Sequence, residues 1–107
     1  IKMPTIKNVE LTKKANVYFE GKVTSRSFVD ENGVKKSLGI MMPGEYTFGT
    51  NEAEHMEIIS GKVEILIACG DSNWETINGG EYFEVPANCS FEIKVLEITD
   101  YCCTYLA

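Results

Sequence analysis

The segment KVEILIAC, Lys62–Cys69, decides the fold class, because apolar side chains alternate along it. In an extended chain Val63, Ile65 and Ile67 lie on one face, and the residues between them lie on the other. The segment Ser90–Leu96 alternates in the same way. Both segments therefore predict β-strands with at least one buried face.

Short segments of this kind recur along the chain at a spacing of roughly 8–12 residues, and no long apolar period of 3.6 residues appears. Turns such as Pro43-Gly44 separate them. The predicted strands are Tyr18–Phe28, Ser37–Met42, Gly44–Phe48, Met56–Ser60, Lys62–Cys69, Trp74–Ile77, Tyr82–Val85, Ser90–Leu96 and Thr99–Leu106. This pattern predicts an all-β fold, an antiparallel sandwich or barrel.

Composition limits the classes of protein that the chain can belong to. With 107 residues, 44% hydrophobic and 24% charged, it can form one domain with an ordinary core. We expect residues 16–107 to form that domain and residues 1–15 to form an N-terminal extension or first strand. The net charge of −6 argues against a nucleic-acid partner. No apolar run approaches the ~18 residues of a membrane span, so no membrane partner is expected.

The cysteines show no metal-binding or thioredoxin-type spacing, because the sequence contains no CxxC motif. The N-terminus has no apolar stretch of the kind found in signal peptides. We therefore expect reduced thiols in a cytoplasmic protein. The four cysteines are Cys69, Cys89, Cys102 and Cys103.

Five residues match the skeleton of the two cupin motifs in type and spacing. Glu54 precedes Gly61 by seven positions, Gly80 precedes Pro86 by six, and Gly44 lies upstream of both pairs. The chain thus resembles the cupins, which implies a cupin-type double-stranded β-barrel with antiparallel, jelly-roll-like strands.

The metal positions of the cupin motifs are altered in this chain. Phe48, Thr50 and Phe91 occupy the three positions that hold histidine in metal-dependent cupins. Glu54 alone holds a transition metal poorly, and His55 beside it should face the other side of the strand. We therefore expect no metal. A metal cupin with unusual ligands, among them Glu54, His55 and the cysteines, is an open alternative.

Several ordered blocks carry a more specific resemblance, which covers about residues 16–106. The blocks are Tyr18–Val23, Gly44–Phe48, Met56–Gly61, Phe83–Pro86 and Tyr101–Leu106. Together they resemble the pyrimidine/purine nucleoside phosphorylase family. The resemblance implies a glycosyltransferase (pentosyltransferase) of broad specificity. An enzyme of this kind would convert nucleosides and inorganic phosphate to free base and ribose 1-phosphate, without a cofactor.

The implied reaction needs groups that hold ribose, phosphate and the departing base. We assign catalytic roles to Glu54, Arg26 and Tyr46. The Glu54 carboxylate would accept hydrogen bonds from ribose hydroxyls, Arg26 would bind phosphate, and Tyr46 would contribute a hydroxyl. The alternatives are that Glu54 and Arg26 are solvated surface residues and that Tyr46 belongs to the core.

Five further residues are predicted to bind substrate. Aromatic rings stack on any nucleobase, which suits broad specificity. The five are Phe48 and Phe91 as walls, Thr50 at an altered metal position, Lys22 in a resembling block and Lys35 after a hairpin loop. The alternative is that the aromatic rings are core residues and the lysines are solvated.

The expected partners are nucleosides, phosphate and a second copy of the chain. A homodimer is expected because a small barrel leaves an apolar sheet face and edge to cover. A function of another class stays open, namely a non-catalytic cupin that binds a small metabolite. Such a protein would be stabilised by nucleoside without turning it over.

Overall fold

Two antiparallel β-sheets make up the part of the chain that the computed structural model describes, residues 4–70 and 73–106. Residues 1–3 of the predicted extension and residue 107 of the predicted domain lie outside these ranges. The strands are β1 Glu10–Leu11, β2 Asn16–Tyr18, β3 Val23–Val29, β4 Lys35–Met41, β5 Gly44–Gly49, β6 Ala53–Ser60, β7 Lys62–Ile67, β8 Glu75–Asn78, β9 Tyr82–Val85, β10 Ser90–Val95 and β11 Thr99–Leu106. The prediction of an all-β fold is confirmed.

The sheets contain seven and four strands within the described residues. The larger sheet has the order β1-β3-β4-β11-β6-β9, and β2 pairs with the same edge of β3 as β1 does. The smaller sheet has the order β5-β10-β7-β8. In the described part of the chain the sheets pack face to face and do not close into one hydrogen-bonded barrel, so the architecture is a jelly-roll-like sandwich.

Alternation along β7 and β10 builds one side of the core. Val63 and Ile65 of β7 are buried, and Ile93 of β10 lies opposite Ile65 in the ladder. Buried residues of β3, β4, β6, β9 and β11 pack against them from the larger sheet. The core therefore lies between the sheets, as the alternation predicts for these strands.

The predicted strand Tyr18–Phe28 is interrupted by a 3-10 turn at Phe19–Gly21. Phe19, Glu20 and Gly21 all have positive φ angles, of 50°, 58° and 93°. A left-handed conformation costs a non-glycine residue on the order of 1–2 kcal/mol, so the surrounding contacts must hold this turn in place. The backbone N–H of Lys22 donates to the Phe19 carbonyl at 3.2 Å.

Two cysteines expected to be reduced form a disulfide. Cys69 and Cys89 are bonded across a sequence separation of 20 residues. The β7–β10 ladder pairs Ile67 with Phe91, and two more steps of this register bring the two cysteines opposite each other. The expectation of reduced thiols is therefore wrong for this pair, whereas Cys102 and Cys103 are free and buried. A cytoplasmic location stays a prediction.

Replacing Cys69 and Cys89 together by alanine should lower the melting temperature by roughly 12–24 °C. In the chain-entropy model, a disulfide that closes a loop of this length stabilises the fold by about 3 kcal/mol. Each kcal/mol lost lowers the melting temperature of a domain of this size by roughly 4–8 °C. Calorimetry with and without a dithiol reductant measures the change. Reductant should act on the wild type but not on the double variant; an equal shift in both would contradict the prediction.

Within the described ranges, no helix has the length and apolarity that a membrane crossing requires.

Candidate active site

One cavity of about 320 Å³ lies between the sheets. Its volume is at the lower end of the range of about 300–1,000 Å³ that small-molecule sites occupy. Strands β2, β3, β4, β6 and β11 of the larger sheet and β5 and β10 of the smaller one all contribute side chains. The lining includes an acidic group, a group of hydroxyls beside a lysine, and an aromatic group.

Glu54 lies in the acidic group, on the inward face of β6. Burial of the carboxyl raises its pKa, the Cys103 thiol partly offsets this by hydrogen bonding to it, and nearby Glu52 raises it further. His55, the next residue, faces outward, where its Nδ1 lies 2.9 Å from a carboxylate oxygen of Glu84. The prediction that Glu54 and His55 face opposite sides of the strand thus holds.

Hydroxyl and thiol groups of β11 line the wall beside Glu54. Burial raises the pKa of Tyr105 to about 12 and raises the pKa values of Tyr101 and Cys103 as well. These groups are therefore neutral near pH 7 and can donate hydrogen bonds. Ser37 lies beside Tyr105 and Ser25 beside Tyr101, where each serine partly offsets the rise in the tyrosine's pKa. The Tyr101 hydroxyl also donates to the Thr24 carbonyl at 3.3 Å.

Lys35 supplies a positive charge at this wall. Its Nζ lies 5.1 Å from the centre of the Tyr105 ring, and the side chain is exposed to solvent. Among the described residues that line the cavity it is the only cation. Lys36, its neighbour, is paired with Asp30, with Nζ 3.5 Å from the carboxylate. The cavity thus joins an ammonium group and several neutral hydroxyls to a carboxylate.

Phe48 and Phe91 form the aromatic wall. Their rings stack with centres 5.6 Å apart, and both line the cavity. The lining also includes Tyr18, which meets Phe48 edge-on with ring centres 6.4 Å apart. An aromatic face of this kind can receive a planar ligand.

Arg26 and Lys22, two predicted site residues, lie elsewhere in the structure. Arg26 is exposed, and its Nε donates to the backbone carbonyl of Lys13 at 3.3 Å. Ser25 beside it lines the cavity, so alternation along β3 turns the guanidinium away. Lys22 is exposed at the end of the 3-10 turn. Neither belongs to the cavity lining that the structure describes.

Tyr46 and Thr50 are buried near the cavity but serve the framework. The Tyr46 hydroxyl donates to the Met42 carbonyl at 2.6 Å. The Thr50 hydroxyl donates to the Pro86 carbonyl at 2.7 Å and accepts from the Cys89 N–H at 3.0 Å. These contacts hold both side chains in place, and neither lines the described cavity.

The donor set at the cavity does not fit a cupin-type metal centre. In the part of the chain that the structure describes, no three His, Cys, Asp or Glu side chains form a group that could hold a metal ion. Burial raises the pKa values of Glu54 and Cys103, which disfavours the charged forms that bind metals. His55 faces the other side of the sheet.

Comparison with known proteins relates this chain to a family. The family model described as pyrimidine/purine nucleoside phosphorylase matches residues 13–105. The chain belongs to this family. A protein of Geotalea uraniireducens named pyrimidine/purine nucleoside phosphorylase is 54% identical over 104 residues, which are 97% of this chain and 99% of that one.

Solved structures place this member of the pyrimidine/purine nucleoside phosphorylase family among the cupin-like folds. A crystallised Acinetobacter protein of unknown function has a TM-score of 0.89 and 40% identity, covering 95% of this chain and 98% of its own. Oxalate decarboxylase of Bacillus subtilis has a TM-score of 0.72 at 16% identity, covering 97% of this chain and 30% of its own. The second likeness shows the fold alone, and the predicted cupin-type fold is confirmed.

Proposed function

We propose that this protein catalyses the phosphorolysis of purine and pyrimidine nucleosides, giving the free base and ribose 1-phosphate. Membership of the pyrimidine/purine nucleoside phosphorylase family carries the proposal. The cavity supports it, because it holds a carboxylate, a cation and an aromatic wall within a volume suited to a small ligand. The reaction transfers a pentosyl group and needs no cofactor.

The bond changes assign one task to each part of the cavity. A phosphate oxygen bonds to C1′ of ribose while the N-glycosidic bond breaks, and the electron pair of the broken bond leaves with the base. In this scheme Glu54 accepts hydrogen bonds from the ribose hydroxyls and stabilises the positive charge that develops on the ribosyl group. Lys35, Ser37 and Tyr105 hold the phosphate, taking the role predicted for Arg26.

Broad base specificity follows in this scheme from the aromatic wall. Stacking on Phe48 and Phe91 recognises a planar ring and requires no particular pattern of hydrogen-bond donors and acceptors. The wall would therefore accept purines and pyrimidines alike. The charges that form in the transition state meet groups of the protein, so the scheme includes no metal.

The experiment that tests the proposal measures release of base from uridine and from adenosine, each with and without phosphate, in excess chelator. Release of both bases only with phosphate is the expected result. Release without phosphate would make the protein a hydrolase. Binding that stabilises the protein without turnover would instead favour the non-catalytic, metabolite-binding alternative.

Lys35→Met should raise the KM for phosphate by about tenfold, because the variant loses a charge-assisted contact to the anion. Lys36→Met is the matched control, since this adjacent lysine pairs with Asp30 instead. Initial rates at varied phosphate and saturating uridine measure both variants. Equal phosphate KM values in the two variants would remove Lys35 from the phosphate site.

A homodimer is part of the proposal. Leu38 and Ile40 of β4, Ile59 of β6 and Leu106 of β11 are exposed on the outer face of the larger sheet. A second copy of the chain could cover this face. Light scattering should give about twice the chain mass of 11.9 kDa; a single-chain mass would exclude the dimer.

A further inference from the structure

Tyr18 and Phe19 are adjacent exposed aromatic residues with different surroundings. The Phe19 ring packs against Tyr46 and Phe48, with centres 4.9 and 5.4 Å apart. The Tyr18 ring lines the cavity and contacts Phe48 edge-on, yet 45% of the residue is exposed. Phe19 therefore anchors the segment to the aromatic wall, and Tyr18 is left at the cavity with a large uncovered surface.

The backbone around these residues explains how one ring can anchor while its neighbour reaches the cavity. Tyr18 ends the short edge strand β2 in an extended conformation, and the next three residues are left-handed. Asn16 fastens the start of β2 to β3, where its side-chain amide donates to the hydroxyls of Ser25 and Ser27. Backbone conformations of this kind persist where surrounding contacts hold them, and they cluster at ligand clamps.

We propose that Tyr18 determines binding of the nucleobase, holding the base against the wall formed by Phe48 and Phe91. This inference rests on the proposed nucleoside phosphorylase function. A bound base would cover the exposed ring of Tyr18 and gain an aromatic contact at the cavity mouth. The contact uses the ring and not the hydroxyl, so it discriminates little between bases.

The test compares Tyr18→Ala and Tyr18→Phe with Tyr82→Ala. Tyr82 is the matched control, because it is an exposed tyrosine on edge strand β9 that does not line the described cavity. We expect Tyr18→Ala to raise the KM for both uridine and adenosine by about tenfold, with the phosphate KM unchanged. Tyr18→Phe keeps the ring and should match the wild type, as should Tyr82→Ala.

Calorimetric titration with uridine in the absence of phosphate separates this inference from the proposed function. A weaker Kd in Tyr18→Ala alone, together with wild-type turnover, supports both. If the wild type binds uridine without turning it over, the proposed enzymatic function is overturned. The proposed role of Tyr18 in base binding still stands in that case if Tyr18→Ala weakens binding. Any of three results would overturn the proposed role of Tyr18. These are an unchanged nucleoside Kd in Tyr18→Ala, equal rises in its nucleoside and phosphate KM values, and no nucleoside binding by the wild type.

Discussion

Glu54→Gln should lower kcat/KM for phosphorolysis of uridine by about 100-fold, since it removes the negative charge that stabilises the developing ribosyl cation. The substitution keeps the shape of the side chain, so the cavity should stay intact. Initial rates at saturating phosphate measure the loss. Glu57→Gln is the matched control, because Glu57 is an exposed carboxylate on the outer face of the same strand. Similar rates in both variants would remove Glu54 from the mechanism.

The pH profile gives a second measurement of the same group. The charged form of Glu54 is the active one, so the rate should fall as the pH drops through a pKa that burial has raised above its usual value. The Cys103 thiol stabilises the charged form. Cys103→Ala should therefore raise the pKa further and move the acid limb to higher pH, while titration of phosphate affects both proteins equally. An unshifted limb would contradict the assignment.

Gly39→Ala should abolish folding or lower the melting temperature by more than about 10 °C, because overpacking against rigid backbone has no cheap relief. A Cβ atom at Gly39 would lie 1.9 Å from the Thr24 carbonyl oxygen and 2.9 Å from the Ser25 Cα of the neighbouring strand. Both contacts are to backbone, so a rotamer change cannot relieve them. Circular dichroism and thermal melts of the purified variant measure the effect.

Gly49→Ala is the matched control for this substitution. Gly49 also lies in a strand, but the nearest atom to an added Cβ is the Cys89 carbonyl oxygen, at 3.9 Å. This is ordinary contact, so the variant should keep the wild-type melting temperature within a few degrees. If the Gly39→Ala and Gly49→Ala variants have the same melting temperature, strand β4 moves more freely than its register with β3 and β11 implies.

Alternation of side chains predicts which way several residues at the cavity face. It separates Glu54 from His55 and places Tyr101 and Tyr105 on one face of the last strand, as the structure has them. Tyr105 could have been chosen from this signal together with its position on the final strand. The position of Ser37 beside it could not, because this proximity depends on the pairing of β4 with β11.

The face of Arg26 could not be assigned in this way. Val23 and Phe28, near the two ends of β3, are both buried although they are five positions apart, which puts them on opposite faces. The apolar pattern is therefore compatible with either orientation of the guanidinium. The break at Phe19–Gly21 was also hidden, because only one of its three left-handed residues is a glycine.

The disulfide follows from long-range pairing in the same way. Cys69 and Cys89 lie just beyond the ends of β7 and β10, and only the register of these strands brings them opposite each other. Local sequence around either cysteine carries no sign of the partner. Residues that act through the register of distant strands are thus the ones that sequence reasoning missed.

The cavity is lined by residues from Tyr18 to Tyr105, so parts of the chain far apart in sequence contribute to it. Contacts between residues this far apart in sequence form slowly, because the chain must lose the entropy of closing a long loop before these contacts stabilise it. Recovery of activity after dilution from denaturant should therefore lag behind the early gain of β-structure. The rate at which activity returns would then report the last step of folding.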